Sequence, residues 1–168
     1  MHDFGDWCRS MGIRNPIVNP LAQKTKGECL EQCRNQALLR ESALDSVSCG
    51  KRGRHQYWLN KEARSCGYCI PCLFRRAALQ RIGLDNGEDY GVDVLDRTQL
   101  PLFAGKKMSE DYADLLSLLS RHLSLNQITD EIQMNGLMSC DDLSWAPEVV
   151  QRSLEEVRAW VSINGDLS

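Results

Sequence analysis

Cys66-Gly-Tyr-Cys69-Ile-Pro-Cys72 constrains this chain more than any other stretch of it. Three cysteines at intervals of three, followed by a proline and an apolar run, put three thiols on one tight turn that enters a helix. Backbone amides on such a turn, with the helix N-terminus behind them, favour thiolate over thiol. Three thiolates from one turn make one face of a tetrahedral metal site, and zinc then needs a fourth ligand from elsewhere. Cys49, in Val47-Ser48-Cys49-Gly50, is the best donor, and His55 is the alternative, giving a site of three cysteines and one histidine.

Other cysteine chemistries fit less well. Neighbours in CxxCxxC are too tight to pair neatly as disulfides. The start of the chain, Met-His-Asp-Phe-Gly-Asp-Trp, has neither the basic residues nor the apolar stretch of a secretory signal. A ferredoxin-type iron–sulfur run shares the CxxCxxC part but wants a nearby fourth cysteine followed by proline. A redox CxxC wants a single pair in a βαβ setting. Zinc is the expected cofactor, in a structural role, because four protein ligands leave no open position. Cys8, Cys29, Cys33 and Cys140 match no ligand spacing and are read as buried or incidental thiols. A cytoplasmic location is expected, with no membrane partner, since no apolar run approaches the roughly 20 residues that span a bilayer.

Charge divides the 168 residues into three. Residues 1–48 carry 6 basic and 6 acidic side chains, residues 49–83 carry 8 basic against one acidic, and residues 84–168 carry 6 basic against 16 acidic. The net of −3 therefore conceals a cationic segment followed by an anionic tail. Either the acids of the tail neutralise the basic segment, or residues 51–81 form an anion or nucleotide surface. Arg75 and Arg76, directly after the third cysteine, are the candidate anion-binding pair. Tyr57, Trp58, Tyr68 and Phe74 interleave with the basic residues, a composition compatible with nucleic acid as a partner.

The elements expected are mainly helical. Phe4, Trp7 and Met11 read as the end of a helix broken at Gly12, and Ile17–Leu21 as a short extended piece between two prolines. Thr25 with Glu28 three places on is a capping-box spacing, predicting a helix that runs to about Leu44. Residues 50–65 read as a basic loop. A helix from Pro71 carries the stripe Phe74, Ala78, Ile82 and ends at Gly83. Residues 84–107 read mostly as loop. Three tail helices follow: one capped by Ser109 with Tyr112, Leu115, Leu116, Leu119 and Leu123 as its apolar face and Arg121 and His122 in its last turn. A second runs over 127–135 and stops at Gly136. The third starts at Pro147 with Val150, Leu154, Val157 and Val161 on one side.

Asn19-Pro20-Leu21, Lys24-Thr25-Lys26-Gly27-Glu28, Ser48-Cys49 and Cys66-Gly-Tyr-Cys69-Ile-Pro-Cys72-Leu73-Phe74-Arg75-Arg76 occur in one order, with Asp85 and Tyr90 after them. This order resembles the C-terminal half of the 7-cyano-7-deazaguanine synthase family, and more closely its relatives in Qat-type antiphage defence operons. The resemblance covers about residues 15–95 well and the rest loosely. It implies that Cys49, Cys66, Cys69 and Cys72 bind Zn2+. It also implies a fold that is mainly α, with a zinc turn and a C-terminal helical bundle left over from a Rossmann-like ATP-pyrophosphatase. Residues 1–48 would then be the end of the α/β nucleotide domain (helix, edge strand, helix), 49–96 the zinc segment and 97–168 an acidic helical tail.

Two departures bear on activity. The family's first cysteine stands closer to the triplet, whereas sixteen residues separate Cys49 from Cys66 here. The family activates a carboxylate with ATP through a Ser-Gly-Gly-x-Asp-Ser loop whose amides cradle phosphate, and no such sequence occurs in the chain. No Ser-His-Asp set substitutes for it, since His2, His55 and His122 are scattered. The resemblance therefore implies a ligase part that uses ATP only with an N-terminal ATP-binding half as partner, and is inactive alone. The alternatives are an inactive zinc-stabilised module that binds other defence-operon proteins, and a nucleic-acid-binding zinc module.

Overall fold

The structure, a computed structural model, describes residues 7–8, 10–13, 19–99, 110–136 and 140–163, apart from the side chains of 140 and 141. Among them, beside helical residues 7, 8 and 10, lie seven α-helices and no strand: α1 Lys26–Glu31, α2 Gln36–Ser42, α3 Ile70–Arg81, α4 Glu110–Ser120, α5 Leu125–Asn135, α6 Cys140–Leu143 and α7 Ala146–Ser162. The extended piece expected at 17–21 is not seen where it can be judged. Residues 17 and 18 lie outside the described residues, and Pro20 and Leu21 are in a turn. The Ser109 cap also lies outside them.

The expected single helix from Thr25 to Leu44 is two helices. The Thr25 hydroxyl accepts from the Glu28 amide at 3.1 Å and the Glu28 carboxylate accepts from the Thr25 amide at 2.9 Å, closing the capping box that starts α1. Asn35 then starts a new helix by accepting from the Leu38 amide at 3.0 Å. The Gln36 side-chain amide donates to the carbonyls of Leu30, Glu31 and Cys33, at and just beyond the end of α1, where the Leu30 carbonyl also accepts from Cys33 N–H at 3.2 Å. A polar cap residue in mid-run thus outcompetes helix continuation. Both pieces are far shorter than a helix stable by itself.

α3 is the hub against which α1, α4 and α7 pack. Proline sits in its first turn and a Schellman turn ends it: Leu84 N–H donates to Leu79 O and Gly83 N–H to Gln80 O, with Gly83 at φ +68°. Its buried residues are Cys72, Leu73, Arg76, Ala77, Ala78 and Leu79. The predicted stripe is therefore displaced, with only Ala78 fully buried and Phe74 and Ile82 half-buried. A helix covered on several sides has no single stripe.

The tail helices form largely as expected. Tyr112, Leu115 and Leu119 of α4 and Val157, Trp160 and Val161 of α7 enter the same core as Leu73 and Ala77. Each fully buried side chain of this size contributes roughly 1.5–3 kcal/mol. α5 starts two residues earlier than predicted, because Ser124 and Gln127 form a second capping box. α4 stops at Ser120, so Arg121 and His122 fall beyond its last turn and His122 takes φ +46°. Val150 is exposed rather than part of the α7 seam.

Residues 84–95 behave unlike a surface loop. Gly91 N–H donates to Ser65 O at 2.8 Å and Val92 N–H to Cys66 O at 3.0 Å, around an isolated parallel bridge from Ser65 to Tyr90. Tyr90, Val92, Val94 and Leu95 are buried. This strap brings the core to the back of the cysteine turn. No helix among the described residues is long and apolar enough to cross a membrane.

Candidate metal centre

The four expected cysteines converge. Sγ atoms of Cys49, Cys66, Cys69 and Cys72 all lie within 4.8 Å of one another, the last three buried and Cys49 partly exposed. All four are free thiols. The Cys66 and Cys72 sulfurs are 3.8 Å apart. A zinc tetrahedron with Zn–S bonds of about 2.3 Å has edges of about 3.8 Å, so this edge has the length a bound ion requires.

The local chain explains how the turn is built. Gly67, at φ +84°, lets the chain double back after Cys66, and a Cβ there would lie 2.1 Å from the Val92 carbonyl oxygen. Cys66 N–H donates to Cys49 Sγ and Cys69 N–H to Cys66 Sγ, each at 3.3 Å. Such bonds fix sulfur lone pairs and stabilise thiolate charge. Hydrogen bonding with Cys69 and Cys72, then burial, push the Cys66 thiol up, while hydrogen bonding with Cys66 and Cys72 pulls Cys69 down. Four sulfurs this close share their protons unequally, and a bound cation is what lets all four ionise.

His55 is not part of the cluster. Its Nε2 is 2.6 Å from the Lys61 carbonyl oxygen and its ring meets Trp58 edge-on at 4.8 Å. The longer loop between Cys49 and Cys66 is absorbed by the 3-10 turn Arg52–Tyr57, which leaves Cys49 at the sulfurs and carries His55 away. Cys8 is buried, Cys29 and Cys33 are half-buried, and none of them joins the four.

Arg76 points inward, while Arg75 is half-buried with its guanidinium on the Ala43–Ser46 backbone. Arg76 is 1% exposed, donates from Nε and Nη2 to Asp85 at 3.1–3.2 Å, and from Nη1 to Asp93 at 2.8 Å. Its guanidinium lies between the rings of Tyr90 and Trp160, at 4.7 and 4.9 Å from their centroids, and Trp160 Nε1 donates to the same Asp85. Burial works against its charge, but the Asp85 and Asp93 carboxylates outweigh that and hold Arg76 above its usual value. Burial, with Asp85 nearby, pushes the Tyr90 phenol up to about 12. Arg75 donates to the carbonyls of Ala43 and Ser46, pinning the segment that leads to Cys49.

Four of the eight cations in the segment meet carboxylates, several from the acidic part of the chain. Lys51 pairs with Asp111 at 2.6 Å and Arg64 with Asp45 at 2.8 Å. Arg81 bridges Glu31 and Glu156. Asp111 also accepts from the Ile70 amide at 3.2 Å, tying α4 to the cysteine turn. Sequence reasoning missed this residue, whose only signal was a place in the first turn of a predicted helix. No family model, no curated protein and no solved structure matches the chain.

Proposed function

We propose that Cys49, Cys66, Cys69 and Cys72 hold one structural Zn2+, and that the chain is the zinc-bearing C-terminal part of an ATP-dependent ligase resembling 7-cyano-7-deazaguanine synthase, of the antiphage-defence kind. The observation that carries the first half is the convergence of four free thiols on one sphere, with amide donors on two of the sulfurs. Zinc at such a site supplies folding energy and leaves no position for a substrate. The second half is supported by the order of motifs from Asn19 to Arg76. In this reading ATP is bound by a separate N-terminal half, and the present chain supplies the zinc-held scaffold beside it.

Elemental analysis of the purified protein tests the metal. Zinc near one per chain is expected, and a Cys69→Ser variant should lose both the metal and its cooperative unfolding transition. Iron with a brown colour, or a metal-free protein that unfolds cooperatively, overturns the reading. Substrate-dependent pyrophosphate release on mixing with an N-terminal ATP-binding half tests the ligase. No release with both parts folded removes it.

A second reading, a catalytically inactive interaction module, is favoured by one contact. The Glu156 carboxylate of α7 accepts from the Thr25 hydroxyl, from Gly27 N–H at 3.2 Å and from Arg81 at 2.6 Å, so the tail covers the Thr25–Glu28 turn. A stable complex with a neighbouring operon product, without pyrophosphate release, distinguishes this module from the ligase part.

A further inference from the structure

The 3-10 turn Arg52–Tyr57 is the one part of the cationic segment whose charges the fold does not absorb among the described residues. All six of its residues are exposed. The guanidinium groups of Arg52 and Arg54 make no hydrogen bond or ion pair with another described residue, unlike the side chains of Lys51, Arg64, Arg75, Arg76 and Arg81. Tyr57, at the end of the turn, is 57% exposed, a large aromatic surface left in water. Lys61 folds back over the turn, its Nζ donating to Gln56 O at 2.7 Å while its own carbonyl meets His55. The only carboxylate in the stretch from Arg52 to Glu62 is Glu62 itself.

The turn is held at both ends. Cys49 belongs to the metal centre on one side, and on the other Trp58 is 2% exposed while the Leu59 and Asn60 amides both donate to Gly91 O. A held turn loses little freedom when a ligand settles on it. Arg54 (φ −99°, ψ 17°) is the kink at which two short turns meet, and Tyr57 ends the second of them three residues on. A cation beside an exposed aromatic ring meets two separate features of one ligand chemistry: a phosphodiester backbone and a flat base.

We propose that this zinc-anchored turn binds a short run of single-stranded nucleic acid, with Arg52, Arg54 and Lys61 against phosphates and Tyr57 stacked on a base. The surface goes beyond the ligase reading and is independent of it, resting only on the metal centre that holds the turn.

Fluorescence anisotropy of the whole chain, zinc content measured on the same preparation, tests it with labelled oligo(dT) and oligo(rU) of about twelve nucleotides between 50 and 200 mM salt. Three phosphate contacts predict a slope of log K against log salt of about −2. The Arg52→Ala/Arg54→Ala variant should bring it to about −0.7. Tyr57→Ala should weaken binding by about 5- to 150-fold at an unchanged slope, and Tyr57→Phe should restore it. Whichever oligonucleotide binds more tightly identifies DNA or RNA as the source. Zinc-loaded protein that binds neither at 50 mM salt, or the double arginine variant binding as tightly as the parent, overturns the proposal. Polyglutamate binding more tightly than either oligonucleotide would do the same, because it makes the surface one for acidic polypeptides.

Discussion

A guanidinium carries five donors and no acceptor, so its burial costs several kcal/mol unless carboxylates meet it. Arg76 meets that condition with Asp85 and Asp93 and adds two aromatic faces. It joins α3, the 84–95 strap and α7 at one point. Replacing it strands two carboxylates, one of them with a side chain only 5% exposed. Arg76→Leu should lower the unfolding free energy by about 3–5 kcal/mol in urea titrations, and adding Asp85→Leu should recover part of the loss. A single variant as stable as the parent would show the pair is dispensable. In sequence the same residue was legible only as a charge next to the cysteine triplet. Whether an arginine faces water or two aspartates depends on partners 9 and 17 residues away, which no local pattern encodes.

At the scale of elements, short helices depend on caps and on neighbours. α1 is held by its capping box and by Arg152 of α7, whose Nε donates to Glu28 at 2.8 Å. The Thr25 amide, against burial and with help from Arg152 and Arg81, holds the Glu28 carboxyl below its ordinary 4.5. A depressed folded value means the stabilisation is complete above the ordinary value and lost as pH falls through the folded one. Glu28→Ala should therefore cost about 0.5–2 kcal/mol at neutral pH and progressively less in acid, measured as the difference between variant and parent in urea midpoints across pH 3–7. An unchanged difference across that range would mean the carboxylate charge is irrelevant. The capping boxes show how far local reading reaches: Thr25 with Glu28 was legible, while Ser124 with Gln127 was present in the sequence and passed over. The break at Asn35 depended on a side-chain amide returning to three carbonyls, which spacing alone does not reveal.

For the whole molecule, the cysteine cluster and the helical core are one structure. Cys66, Cys69 and Cys72 belong to the same buried cluster as Leu73, Tyr112, Val157 and Trp160, so a metal lost at the turn is felt in the tail. Treating the zinc-loaded protein with a strong chelator should therefore melt α4 and α7 along with the turn, seen as loss of helical circular dichroism. The same loss should come at lower chelator concentration as pH falls, because protons compete for the four thiolates. Retention of the full helical signal after zinc removal would separate the two parts and sink this coupling.

The sequence by itself determined the cysteine triplet, the helical character, the start of α1 and the end of α3, and the apolar faces of the tail. These are encoded by residues within one or two turns of each other. Only the tertiary structure decided that Cys49 and not His55 completes the four sulfurs, that residues 84–95 are a buried strap, and that Arg75 and Arg76 serve the fold. Each of these depends on which distant groups meet, and the cost of leaving a buried charge, amide or thiolate unpartnered selects among the meetings that the local pattern allows.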